Sequence, residues 1–257
     1  MKIYMISLKR DIERREQMQK KFPRYYPKFH IIDAVDAREE SSAKFIQKYD
    51  KPSPNDKRRP LTKGEKCCAI SHLLALEDFL QSGDERCIII EDDIIGVDDD
   101  FDEAISLLQT ENPLGLTALG GQEGLRNYKY IIGSRRSSGL WELSKIARRF
   151  LLRTCCYSID IATANAISSS QLAHLSRADN WSRILSARVN FFYAEKFKHP
   201  VELDKSNLEP ERKVDSLIKN IHQDGLIKIT TNIFAKIVIS FVTFLRIRKK
   251  IIPRQIK

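Results

Sequence analysis

The sequence predicts an α/β fold with a mainly parallel sheet flanked by helices, and three observations carry that prediction. Strand-length apolar runs alternate along the chain with longer segments whose apolar residues recur at helical spacing. One run, CIIIEDD from Cys87 to Asp93, is apolar without alternation and stops abruptly at three carboxylates, the pattern of a strand covered on both faces that delivers acids at its carboxyl edge. The 257 residues, 42% apolar and 30% charged with 10 Gly and 9 Pro, suffice for a core without disulfide or metal staples and exclude a disordered chain, and the absence of a recurring period argues against a repeat array.

The elements follow in order. KIYMISL (2–8) is β-prone and gives way to a charged helical stretch from Asp11. HIIDAV (30–35) is a second short strand, and DKPSPNDKRRP (50–60) is a Pro-rich loop. In LTKGEKCCAISHLLALEDFL (61–80), Thr62 and Glu65 have capping-box spacing ahead of Ile70, Leu73, Leu74, Leu76 and Leu80 at helical intervals. After EDD come a helix near 101–109, a strand LTALGG (116–121), a strand near 151–159, a helix from about 162 to 175 and a β-prone run RVNFFYAEKF (188–197).

The net charge is +10, but its distribution argues against a nucleic-acid partner. Residues 1–224 hold 36 Lys and Arg against 34 Asp and Glu, whereas 225–257 hold eight basic residues and no acid. The expected organisation is therefore a domain over 1–224 and a basic amphipathic helical tail over 225–257. Nine uncharged residues separate Lys236 from Arg246, about half of the ~20 that a spanning helix needs. As a helix the tail sets Phe234, Ile237, Val238, Phe241 and Leu245 opposite Asn232, Lys236, Ser240, Thr243 and Lys250, which fits an anionic membrane surface. A helix packed on the domain, or at a homodimer interface, is the other reading. The opening apolar stretch runs into charge too soon for a signal-peptide core, so a cytoplasmic protein is expected. Five cysteines without CxxC spacing read as reduced, buried residues.

Glu91, Asp92 and Asp93 cannot all be buried and ionised without a compensating cation. Mg²⁺ or Mn²⁺ suits such oxygen ligands and needs few others where substrate phosphates complete the shell. A solvated acidic loop is the alternative from the tripeptide alone.

The surroundings add to this. Ile6, Ser7, Leu8 and Arg14 open the chain in the form of INLxxxxxR; Asp33, Ala34, Asp36 and Ala37 form a DA-type strand end; Gly64, Glu65, Cys68, Ser71 and His72 follow GExGCxxSH; and Ile90–Asp93 end a strand in EDD. Together these resemble glycosyltransferase family 25, a family of bacterial lipooligosaccharide sugar transferases. Leu119, Gly120 and Gly121 look like its LGG turn, and Thr154 with Tyr157 like its TxxY strand, so the resemblance covers residues 1 to about 210. Ser7 stands where Asn is usual, and Lys66 where an apolar residue is common.

The resemblance implies a GT-A-like fold with a donor half over about 1–121 and an acceptor half over about 122–224. It implies a UDP-sugar donor, Mn²⁺ or Mg²⁺, inversion at the anomeric carbon, and a lipid-linked oligosaccharide acceptor at the inner face of the bacterial cytoplasmic membrane. Donor contacts fall on Ile6, Ser7, Leu8, Arg10, Arg14, Asp33, Ala34, Asp36, Gly64, Glu65, Ser71, His72, Asp92, Thr154 and Tyr157, and metal ligation on Glu91, Asp93 and His199, with Glu202 and Asp204 equally placed near His199. An inverting displacement needs a general base for the acceptor hydroxyl. Asp179, beside the sugar-sized face of Trp181, is the expected base and Asp160 the reserve, although Asp179 also suits a helix cap. GSRRSSG (133–139) with Arg148, Arg149 and Arg153 reads as a flexible basic segment suited to a phosphorylated acceptor, or as a solvated loop.

The expected activity is transfer of a hexose, galactose before glucose, to a lipooligosaccharide core. A sugar nucleotidyltransferase also needs strand-end acids and a metal, but no glycine-rich triphosphate-binding signature accompanies them. A membrane-surface adaptor accounts for the tail and leaves EDD and GEKCCAISH without a reason.

Overall fold

A computed structural model describes residues 1–51, 60–137, 139–200 and 233–240. Its elements are β1 (Lys2–Ser7), α1 (Ile12–Lys21), β2 (Phe29–Asp33), α2 (Ser42–Tyr49), α3 (Lys63–Gln81), β3 (Arg86–Glu91), α4 (Asp98–Glu111), β4 (Leu116–Gly120), β5 (Gly133–Ser137), β6 (Leu140–Leu143), β7 (Cys156–Asp160), α5 (Ile161–Ala173), α6 (Trp181–Ile184) and β8 (Phe191–Phe197), with a last helix over 233–240.

The strands form one sheet in the order β2-β1-β3-β7-β4-β8-β6-β5. Its two faces are packed separately, because successive side chains of a strand point to opposite sides. Tyr4, Ile6, Ile89 and Tyr157 face α2, α3 and α5. Ile3, Met5, Ile88 and Ile90 face the other way, onto Phe22, Phe101 and Phe197, whose rings meet at centroid distances of 4.6–6.4 Å. Burial on both sides explains why β3 is apolar without alternation.

The α/β class is as expected, but the sheet is mixed. Among the described residues three pairings are parallel (β1 with β2, β1 with β3, β4 with β8) and four are antiparallel. The difference arises at β7, which runs antiparallel between β3 and β4. An apolar run records that a strand is covered on both faces and carries no information about its direction. The strand expected from 151 begins only at Cys156, because Arg153 adopts a left-handed backbone (φ +60°) that interrupts extended structure. GSRRSSG is not a flexible segment at its start: residues 133–137 form β5 of a hairpin with β6.

Helix α3 carries the expected capping box. Thr62 Oγ1 accepts from the Glu65 amide and Glu65 Oε2 from the Thr62 amide, both at 3.1 Å. Of the tail, the eight residues 233–240 are helical, and the face that packs on the domain is that of Ala235 and Ile239, each 1% exposed. Phe234 and Ile237, expected on the apolar side, point outward with Ile233. The rest of 225–257 lies outside the described residues, and among the described residues no helix is long and apolar enough to cross a membrane.

Candidate functional site

Parallel pairing gathers the chemistry at one edge. Ser7 pairs with Asp33 and Ile6 with Glu91, so the carboxyl ends of β1, β2 and β3 finish together. A cavity of about 180 Å³ opens there, walled by the segment after β1, the segment after β2 and the first turns of α3, with the EDD carboxylates at its end. Of the expected donor contacts, Ile6, Ser7, Leu8, Arg10, Arg14, Ala34, Asp36, Gly64, Ser71, His72 and Asp92 line it. Ala37 and Cys68, expected only as motif residues, also line it, as do Asp11, Val35, Arg38 and Cys67, which were not expected as contacts.

Four expected contacts are not part of this wall. Asp33 is taken by Arg15, whose Nη2 reaches its Oδ1 at 2.6 Å and whose Nε donates to Ser7 Oγ, so Arg15 ties the ends of β1 and β2 together. Glu65 is buried in the capping box. Tyr157 sits behind His72 and bonds its Nδ1 at 3.0 Å, and Thr154 donates to Glu91 Oε1 at 2.5 Å. Within the wall, Ser71 Oγ donates to Cys67 O and accepts from the Val35 amide, which fixes the strand end after β2 against α3. Asp36 is bonded by Arg10 Nε and by the Arg38 amide, and these hold its carboxyl below the usual range although burial works the other way.

The three acids are held differently. Burial opposes the charge of Glu91, but His72 and the Thr154 hydroxyl outweigh it and lower its pKa. His72 Nε2 lies 3.4 Å from Glu91 Oε1. Burial keeps the Tyr157 phenol protonated, so it can donate to His72 Nδ1 and turn the Nε2 proton toward Glu91. Asp92 accepts from Arg14 Nη1 at 2.9 Å, yet burial lifts its pKa against the pull of Ser7 and Arg14. Burial and then Glu91 lift the pKa of Asp93, against His199 and Arg14. Arg14 approaches Asp93 Oδ2 at 3.4 Å and His199 Nε2 lies 3.7 Å from the same oxygen.

Asp93 Oδ1 is buried without a hydrogen-bond partner. His199 Nδ1 donates to Pro200 O at 2.7 Å, which leaves the lone pair of a neutral ring on Nε2, toward Asp93. Both groups fit a divalent cation that takes its remaining ligands from donor phosphates and water. Among the described residues no cluster of three His, Cys, Asp or Glu side chains is spaced to enclose a metal, and Glu91 Oε1 already has Thr154. Glu202 and Asp204 lie outside the described residues.

Asp179 precedes α6, whose N-cap is Asn180, so it is not the cap of that helix. Its Oδ1 is buried without a hydrogen bond, with Arg177 Nε 3.7 Å away, and it is not part of the cavity wall. The neighbouring Trp181 packs edge-on against Tyr157 and donates to Arg153 O. Asp160, the reserve base, is a structural residue. It pairs with Arg86 at the opposite end of β3 from Glu91, caps α5 through the Thr163 amide and accepts from the Gly115 amide. Arg148 is buried, bonds Ala187 O and lies over the Phe191 ring, so it does not face an acceptor.

Residues 1–131 match the family model described as glycosyltransferase family 25 (LPS biosynthesis protein). The lipooligosaccharide biosynthesis protein lic2B of Haemophilus influenzae is 33% identical over 92 residues, covering 36% of this chain and 33% of that protein. Procollagen galactosyltransferase 2 of Homo sapiens is 32% identical over 96 residues, covering 36% of this chain and 15% of that one. The matches thus span between 15% and 33% of the length of these curated relatives. Among solved structures, the mannose-1-phosphate geranyltransferase of Thermus thermophilus overlays with a TM-score of 0.42 at 15% identity, covering 77% of this chain and 74% of that chain.

Proposed function

The chain belongs to glycosyltransferase family 25, and from that premise we propose that it is an inverting, metal-dependent transferase moving a hexose from a UDP-sugar to a lipooligosaccharide core. The observation that carries the reading is the carboxylate cluster at the end of the cavity, with Asp93 Oδ1 unpartnered and Asp93 Oδ2 3.7 Å from His199 Nε2. A solvated acidic loop would not bring three adjacent carboxylates to the end of a cavity, one of them with a buried, unpartnered oxygen.

Asp93 and His199 would hold Mn²⁺ or Mg²⁺, with Glu91 anchored beside them. When bound, the ion neutralises the leaving diphosphate. Arg14 and Arg10 flank the cavity and bind the nucleotide, and the amino-terminal end of α3 favours phosphate at Gly64. The acceptor hydroxyl attacks the anomeric carbon and its proton passes to Asp179. The bond from that carbon to the phosphate oxygen breaks, and its electron pair leaves with UDP. Galactose is the favoured sugar, in keeping with the name of the procollagen relative. The outward Ile233, Phe234 and Ile237, in a tail rich in basic residues, lie on an anionic membrane and bring the cavity to a lipid-linked acceptor.

Slow hydrolysis of a panel of UDP-sugars with Mn²⁺ tests the reading. Turnover of one UDP-hexose, abolished by chelator, is expected. No hydrolysis of any donor by the folded protein contradicts it.

A further inference from the structure

We propose that Arg153 is a positioning residue that holds the two flanks of the carboxylate cluster together, an inference that rests on that cluster being the catalytic centre. Arg153 is one of two non-glycine residues with positive φ among the described residues. At φ +60° its Cβ crowds the following carbonyl, and such a conformation persists only where the surroundings over-determine it.

Here they do. Arg153 O accepts from Trp181 Nε1 at 3.3 Å. Arg153 Nη1 donates to Gly121 O at 2.7 Å and to Glu123 O at 3.0 Å. Next to it, the Gln122 side chain bonds both the carbonyl and the amide of Leu152. The loop after β4 is pressed in from the other side as well: a Cβ at Gly121 would lie 2.1 Å from Cys155 Sγ and one at Gly120 1.9 Å from Phe197 O.

Each end of this clamp reaches one acid. The residue after Arg153 is Thr154, which donates to Glu91 Oε1, and Cys155 O accepts from the Glu91 amide at 2.8 Å. The clamped loop presents Glu123, whose Oε1 accepts from the His199 amide, and His199 Nε2 lies 3.7 Å from Asp93 Oδ2. One guanidinium therefore connects the support of Glu91 to the support of His199. Arg153 turns its guanidinium to two backbone carbonyls, which is a positioning task and not the acceptor contact its sequence neighbourhood implied.

The test separates backbone from side chain. Arg153→Gly relieves the left-handed strain but removes the guanidinium, and Arg153→Lys keeps a cation without the planar fork. Amide exchange of the full chain is read with the melting temperature and with Mn²⁺ binding in the presence of UDP by electron paramagnetic resonance. In Arg153→Gly the amides of His199 and Gly120–Glu123 should exchange roughly tenfold faster while β1 and β3 keep their protection. Mn²⁺ affinity should fall about 10–100-fold with the melting temperature near that of the native chain, and Arg153→Lys should lie between. Unchanged exchange at His199 and the loop overturns the proposal, as does acceleration spread equally over β1 and β3 in both variants. If the native chain binds no Mn²⁺, the metal reading fails while the exchange comparison still decides the positioning role.

Discussion

Arg14 Nη1 donates to Asp92 Oδ1 at 2.9 Å, joining helix α1 to the segment after β3 across 78 positions of sequence. The same nitrogen stands 3.4 Å from Asp93 Oδ2, so one cation serves a buried carboxylate and a partly buried one. Arg14→Met should destabilise the fold by about 1–3 kcal/mol, because Asp92 is left buried without its cation. The low end of the cost for a broken ion pair applies, since the Arg14 side chain is 24% exposed. Chemical denaturation measures this, and nucleotide affinity should fall in parallel.

Asp93→Asn should behave oppositely. It removes a charge that burial and Glu91 disfavour, so the metal-free protein should melt at a higher temperature, while UDP binding with Mn²⁺ is lost. A lower melting temperature would mean that Asp93 stabilises the fold as an ordinary ion pair.

Asp179→Asn and Asp160→Ala distinguish chemistry from architecture. The first should lower turnover roughly 10²-fold with UDP affinity retained, since a base acts on the acceptor proton. The second should cost about 1–2 kcal/mol of stability through the lost cap of α5 and leave turnover per folded molecule unchanged. Kinetics and melting curves on both variants check the pair, and near-normal turnover in Asp179→Asn would remove it from the mechanism.

The buried strand ending in EDD and the capped α3 were legible because each is written in adjacent residues: an apolar run, three acids, and Thr62 three positions before Glu65. The cavity wall was legible through motifs that the parallel pairing of β1, β2 and β3 brings to one edge. What remained hidden depends on strand direction and long-range contact. Asp160 follows a strand in sequence just as Glu91 does, but β7 runs the other way and carries it to the far edge. Arg15, Glu123 and Arg153 act through groups from 8 to 76 positions away, and no local pattern marks those roles.

The helix over 233–240 qualifies the simplest test of the tail. Deleting it would uncover the core where Ala235 and Ile239 are buried, so loss of function would not isolate membrane contact. Phe234→Ser with Ile237→Ser changes only outward side chains and should weaken binding to anionic vesicles while the melting temperature holds. Unchanged vesicle binding would assign the exposed face another role.

The proposed function requires the carboxylate cluster and the adjoining cavity to bind a nucleoside diphosphate through a divalent cation. Isothermal titration of UDP into the protein, with Mn²⁺ and again with chelator, tests it most directly. Binding of one UDP per chain that requires Mn²⁺ is the predicted result. Equal affinity in chelator, or no UDP binding by the folded protein in either condition, would contradict it.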